Sequence, residues 1–164
     1  MRALAGAEIE IEGDRLERDA ATVLGYMLFE YSRMDMELGL FLVWSGDGHK
    51  LEELTKKLSD HNFHKRLEFL ETLVQLKYVD NPLALELYTS WLSDAHAIRS
   101  IRNQLFHGRW GVSPQQQLVA NVVGLPTSHE QNETRYSIAG LRETLEAMRT
   151  LRSRLSELRK TWPV

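Results

Sequence analysis

Leu141, Leu145, Met148, Leu151, Leu155, Leu158 and Trp162 recur at steps of 4, 3, 3, 4, 3 and 4. Steps of three and four keep side chains on one face of an α-helix, so this run predicts a long helix with a single apolar stripe. A stripe with near-heptad spacing has to be buried against another helix, in the same chain or in a second copy. That requirement commits the chain to helix-on-helix packing.

The remaining segments agree. Between residues 15 and 44, Leu16, Val23, Met27, Tyr31, Met34, Leu38, Phe41 and Leu42 form a second stripe, with Glu30 and Asp35 close to it. Ser45-Gly46-Asp47-Gly48 breaks that helix, because two glycines and an aspartate favour a turn. Leu51, Leu54 and Leu58 predict a shorter helix, and Phe63, Leu67, Leu70 and Val74 another that reaches Lys77. Asn81 can cap a helix and Pro82 suits its first position. The helix they start should run to about residue 107 on the stripe Leu87/Tyr88, Trp91, Ala95, Ile98, Arg102 and Leu105. Gly108 is placed to end it in a left-handed conformation.

Beyond Gly108 the period changes. RWGVS and QLVANVVG read as two short strands with a turn at Ser113-Pro114. A polar stretch follows, then a short extended piece from Arg135 to Ile138, and the last helix begins near Ser137. Residues 1–13, where Ile9 and Ile11 alternate with glutamates, read as an edge strand or loose arm. The expected fold is mainly α: a bundle of about five helices with a small β-hairpin before the last helix. The expected division is an arm over 1–14 and one domain over 15–164.

Composition narrows the chemistry. With no cysteine there is no disulfide framework, no thiolate nucleophile and no cysteine-based metal site. No signal peptide and no membrane-length apolar run is read in the sequence, so a cytoplasmic protein without membrane contact is expected. A net charge of −3 argues against a general nucleic-acid binder. The charge is uneven, however. Residues 1–93 carry 10 basic and 17 acidic side chains, and residues 94–164 carry 10 and 6. A basic patch in the second part could hold phosphates on an otherwise acidic protein.

The chemistry-bearing residues of that part are Arg102, Asn103 and His107, in the run IRNQLFHGRWG. Arg102 falls on the apolar stripe, where an arginine needs a partner or a function. On an ideal helix Arg102 and His107 point about 140° apart, so they converge only where the helix ends or loosens. A histidine at a helix C-terminus sits where the macrodipole favours a cation. Such a group suits proton transfer near neutral pH, and a guanidinium beside it can hold a phosphate. RNA brings its own nucleophile, the 2′-hydroxyl. These groups could therefore cleave RNA without a metal or cofactor, with Asn103 orienting the scissile group or the imidazole. Arg99 and Arg109 are candidates for the flanking phosphates.

This pattern, R-N-x-x-x-H-G late in a long helix of a small bundle, resembles the HEPN domain family from about residue 15 to residue 160. The resemblance implies a homodimer in which two motifs face each other across a cleft. In active members it implies metal-independent endoribonuclease activity, often in toxin–antitoxin or phage-defence systems, with an antitoxin partner. It also implies an acidic residue on the early helix that supports the motif; Asp35 is the best match and Glu30 the second.

Plainer roles stand beside these. His107 could cap the helix by bonding its last carbonyls. Arg102 could form a buried salt bridge with Asp35 or Glu30. Trp91 and Trp110 read as core rather than stacking platforms, and Arg149, Arg152 and Arg154 as a solvated helix face first and an RNA track second. His61 and His64 stand three apart, but no third ligand completes a metal set. The alternative to an enzyme is a non-catalytic helical module that uses the motif for dimerisation or for binding a nucleotide or partner.

Overall fold

The computed structural model describes residues 6–127 and 129–164. The architecture is mainly α. Helices α1 (Gly6–Val43), α2 (Leu51–Ser59), α3 (Phe63–Lys77) and α4 (Pro82–His107) precede strands β1 (Arg109–Ser113), β2 (Leu118–Val123) and β3 (Asn132–Tyr136), and α5 (Ile138–Thr161) follows. The strands form one antiparallel sheet in the order β1-β2-β3. No helix among the described residues is long and apolar enough to cross a membrane.

One expectation is corrected at element level. The N-terminal arm or edge strand is helix, since α1 starts at Gly6; residues 1–5 lie outside the described residues. Gly13, Leu16 and Ala20 share one buried face, Glu12 pairs with Arg15 one turn on, and Ile11 is 69% exposed, so the helical period wins over the Ile/Glu alternation. The expected hairpin is present as β1 and β2, and β3 extends it to three strands through Val119↔Tyr136 and Asn121↔Thr134.

The chain divides into two compact units, one of residues up to Phe29 with Ile101–Ala147, the other of Glu30–Ser100 with Met148–Val164. In the first, Leu16, Val23 and Met27 of α1, Leu105 of α4, Val119 of β2, and Leu141 and Leu145 of α5 are buried. Gly13 lies in contact with Val112 and Pro114, and Arg15 donates to Gln117 at 3.0 Å.

The second unit holds the larger apolar core, drawn from the stripes of α1, α3, α4 and α5. Trp91 is fully buried, and its indole donates to Leu151 O at 2.9 Å. Asn81 caps α4 by accepting from the Ala84 amide at 3.1 Å, and Asn62 caps α3 through Lys65 N at 3.0 Å. Tyr78 and Tyr88 donate to the carbonyls of Pro163 and Trp162, and burial pushes the Tyr88 hydroxyl well above the usual tyrosine range. The break after α1 is a short 3₁₀ turn with positive φ at Gly46, Asp47 and Gly48.

Candidate functional site

Arg102, Asn103 and His107 occupy the C-terminal end of α4, in the first unit. Arg102 is half-buried. Its guanidinium donates to Asn103 Oδ1 at 3.2 Å and lies over the Phe106 ring at 5.7 Å. His107, the last residue of the helix, is exposed. Because α4 stays helical through His107, Arg102 and His107 leave it about 140° apart. The fold therefore joins Arg102 to Asn103 and leaves His107 on another face of the helix.

Gly108 ends α4 for a different reason from the expected one. It is not among the positive-φ glycines, which are Gly46, Gly48 and Gly124. A Cβ at Gly108 would stand 2.1 Å from Asn121 Oδ1 and 2.4 Å from Nδ2. Glycine is needed because a side chain already fills the space, and no left-handed turn is involved.

Asn121 was not singled out by sequence reasoning. The available signal was its place in LVANVV: an amide at the alternate positions shared with Val119 and Val123, hence on the inward face. It is fully buried at the centre of the sheet, opposite Trp110 and Thr134. Its carboxamide reaches α4 in either orientation. With Nδ2 toward Gln104 O at 3.2 Å, Oδ1 accepts from Trp110 Nε1 at 3.2 Å; turned over, Nδ2 donates to Leu105 O at 3.4 Å. The Trp110 indole lies 3.0 Å from Leu105 O. Two open carbonyls of the last turn, those of Gln104 and Leu105, are thus served from the sheet, by Asn121 and Trp110.

The flanking polar groups tie the helix end to the sheet. Gln104 donates to Thr134 at 2.7 Å, and the exposed Arg109 donates to Gln131 at 3.0 Å. Trp110 is half-buried, with its ring 5.7 Å from that of Tyr136, whose hydroxyl is pushed up by burial.

The other expected site residues lie in the second unit. Asp35 accepts from Arg66 at 2.8 Å. Glu30 is buried, with Arg33 at 2.8 Å and Arg152 at 3.2 Å; Arg152 also reaches Glu37 at 3.3 Å. Arg152 is thus an ion-pair residue rather than part of a solvated face. Arg154 pairs with Asp94 at the surface, in keeping with a solvated face. Arg99 is half-buried.

His64 lies 3.4 Å from Glu68 and edge-on to His96, with ring centroids 5.6 Å apart. Burial lowers the His96 pKa, and Arg99 and His64 add to that effect against the opposing fields of Glu71 and Glu68. Among the described residues no group of three or more histidines and carboxylates is arranged to hold a metal ion.

Compared with known protein families, curated proteins and solved structures, the chain matches none.

Proposed function

We propose that the protein is a metal-independent endoribonuclease of HEPN type that acts as a homodimer in the cytoplasm. The observation that carries this reading is an exposed histidine at the end of a long helix, on a turn anchored by its neighbours to a buried sheet residue. A proton-transfer group needs solvent access for its substrate and a fixed backbone for its aim. Arg102 and Arg109 supply nearby positive charge in the sequence, and Arg102 is the group to bind the scissile phosphate. Since Arg102 and His107 diverge on one helix, a second copy supplies the missing convergence. Exposed Met36 and Leu40 on the second unit's part of α1, and exposed Trp44 just after it, leave apolar surface for such an association.

In the reaction, the imidazole takes the proton of a 2′-hydroxyl, whose oxygen attacks the adjacent phosphorus. The P–O5′ bond breaks, and the leaving oxygen takes a proton from an imidazolium. The products are a 2′,3′-cyclic phosphate and a 5′-hydroxyl. Asn103 holds Arg102 in place, and Arg99 and Arg109 take neighbouring phosphates. A toxin or phage-defence role, with an antitoxin as partner, follows from the HEPN resemblance.

The test is cleavage, in EDTA, of an end-labelled RNA and of the same strand carrying 2′-deoxy sugars. The reading expects cyclic-phosphate ends from the first and no cutting of the second. Cutting of the deoxy strand would overturn it. A second reading is favoured by the contacts of Arg102 with Asn103 and Phe106, which suit packing: a non-catalytic dimerisation or nucleotide-binding module. It expects no cleavage, and loss of dimer mass in Arg102→Ala.

A further inference from the structure

We infer that Asn121 is a positioning residue for His107. The inference rests on the reading of His107 as a working group, and it adds a residue that lies outside the motif and 14 positions further along the chain.

Three observations meet at this side chain. First, Asn121 is 0% exposed, and a buried amide is costly unless its donors and acceptor are used. Second, each carboxamide contact named above goes to the last turn of α4 or to Trp110, which itself lies 3.0 Å from that turn's Leu105 carbonyl. Third, the carboxamide lies against Gly108, inside the space a Cβ would take. His107 is therefore bracketed. The carbonyls two and three residues before it are bonded from the sheet, and the residue after it is seated on the Asn121 amide.

The consequence is specific. An unsupported last helical turn frays, and a side chain on a fraying turn loses its aim. Asn121 is on the central strand, bonded on both sides by β1 and β3, so it gives the turn a rigid support. Its short side chain reaches the carbonyls only because residue 108 has no Cβ. Leucine would fill the space without bonds, and aspartate would set a buried carboxylate against carbonyl oxygens.

The experiment uses the full chain as wild type, Asn121→Leu and Trp110→Phe, each checked for folding by its melting curve. Amide hydrogen exchange at His107 and its ring resonances are followed by NMR, with α3 amides as the internal reference. Cleavage of a mixed-sequence single-stranded RNA in EDTA is measured alongside. The expected result is about tenfold faster exchange at His107 and displaced ring resonances in Asn121→Leu, with α3 unchanged. The kcat for RNA should fall about tenfold at unchanged KM. If Asn121→Leu does not fold, Trp110→Phe, which removes one donor from the same turn, should show the same pattern at smaller size. Wild-type exchange and ring resonances in the folded variants would overturn the inference. If the wild type cuts no RNA, the ribonuclease reading falls, and the exchange result alone decides the role of Asn121.

Discussion

Asn121 occupies the space in which the side chain of residue 108 would stand: a Cβ on Gly108 would lie 2.1 Å from Asn121 Oδ1. The glycine after the motif histidine and the asparagine of the central strand are therefore one packing unit. Gly108→Ala should destabilise the protein by roughly 1–3 kcal/mol, the usual range for overfilling a packed site. In an Asn121→Ala background the same change should cost markedly less, because the methyl then has room. Urea unfolding of the four variants reads the coupling; additive costs would mean that the two residues do not share the space.

Glu30 is buried between Arg33 and Arg152. Removing Arg152 leaves a carboxylate short of a charge partner, with a cost of about 1–3 kcal/mol, limited because Arg33 remains. Glu30→Gln in the Arg152→Ala background should recover part of the loss. Thermal unfolding of the single and double variants checks this; a double variant no more stable than Arg152→Ala would show that the buried charge is not the cause.

His96 makes stability depend on pH. Burial lowers its pKa below the ordinary 6.5, so the unfolded chain binds the proton more readily than the folded one. The contribution is intact above that value and declines as pH falls from about 6.5 toward the lower folded pKa. Arg99 and His64 act in the same direction as burial, and Glu68 and Glu71 act against it. Replacing His96 with Gln should flatten the urea midpoint across pH 5–7, where the wild type loses stability on acidification. Parallel curves for the two proteins would assign the acid sensitivity elsewhere.

Trp91 combines full burial with a hydrogen bond to Leu151 O at 2.9 Å. Trp91→Phe keeps most of the apolar volume but leaves that carbonyl unpaired, at a cost of roughly 1–3 kcal/mol. Trp91→Ala adds a cavity and should cost about 3–5 kcal/mol. Equal losses in the two variants would mean that packing contributes nothing beyond the indole N–H.

The bounds of α4 could be read from the chain because both ends carry local chemistry: an asparagine cap and proline at one end, a glycine at the other. The stripes of α3 and α5 were legible for the same reason, since period alone places their buried residues. The start of α1 was not, because alternating isoleucine and glutamate fits a strand as well as a helix. β3 was legible only in part: the extended piece expected from Arg135 to Ile138 overlaps its end, but the rest of NETRY is polar, and its strand character comes from pairing with β2. The motif residues were visible as residue types, but their support was not. Asn121 meets Gly108 only through the strand register, which spacing along the chain does not reveal. Asp35 shows the same limit, since its partner, Arg66, lies 31 residues away.

The most direct measurement is RNA cleavage in EDTA by wild type and His107→Ala, with both proteins shown by light scattering to be dimers of matching mass. The proposed ribonuclease predicts cutting by the wild type and a loss of at least about a hundredfold in the variant, the scale of one acid–base group. Equal cutting by a folded His107→Ala dimer would contradict it.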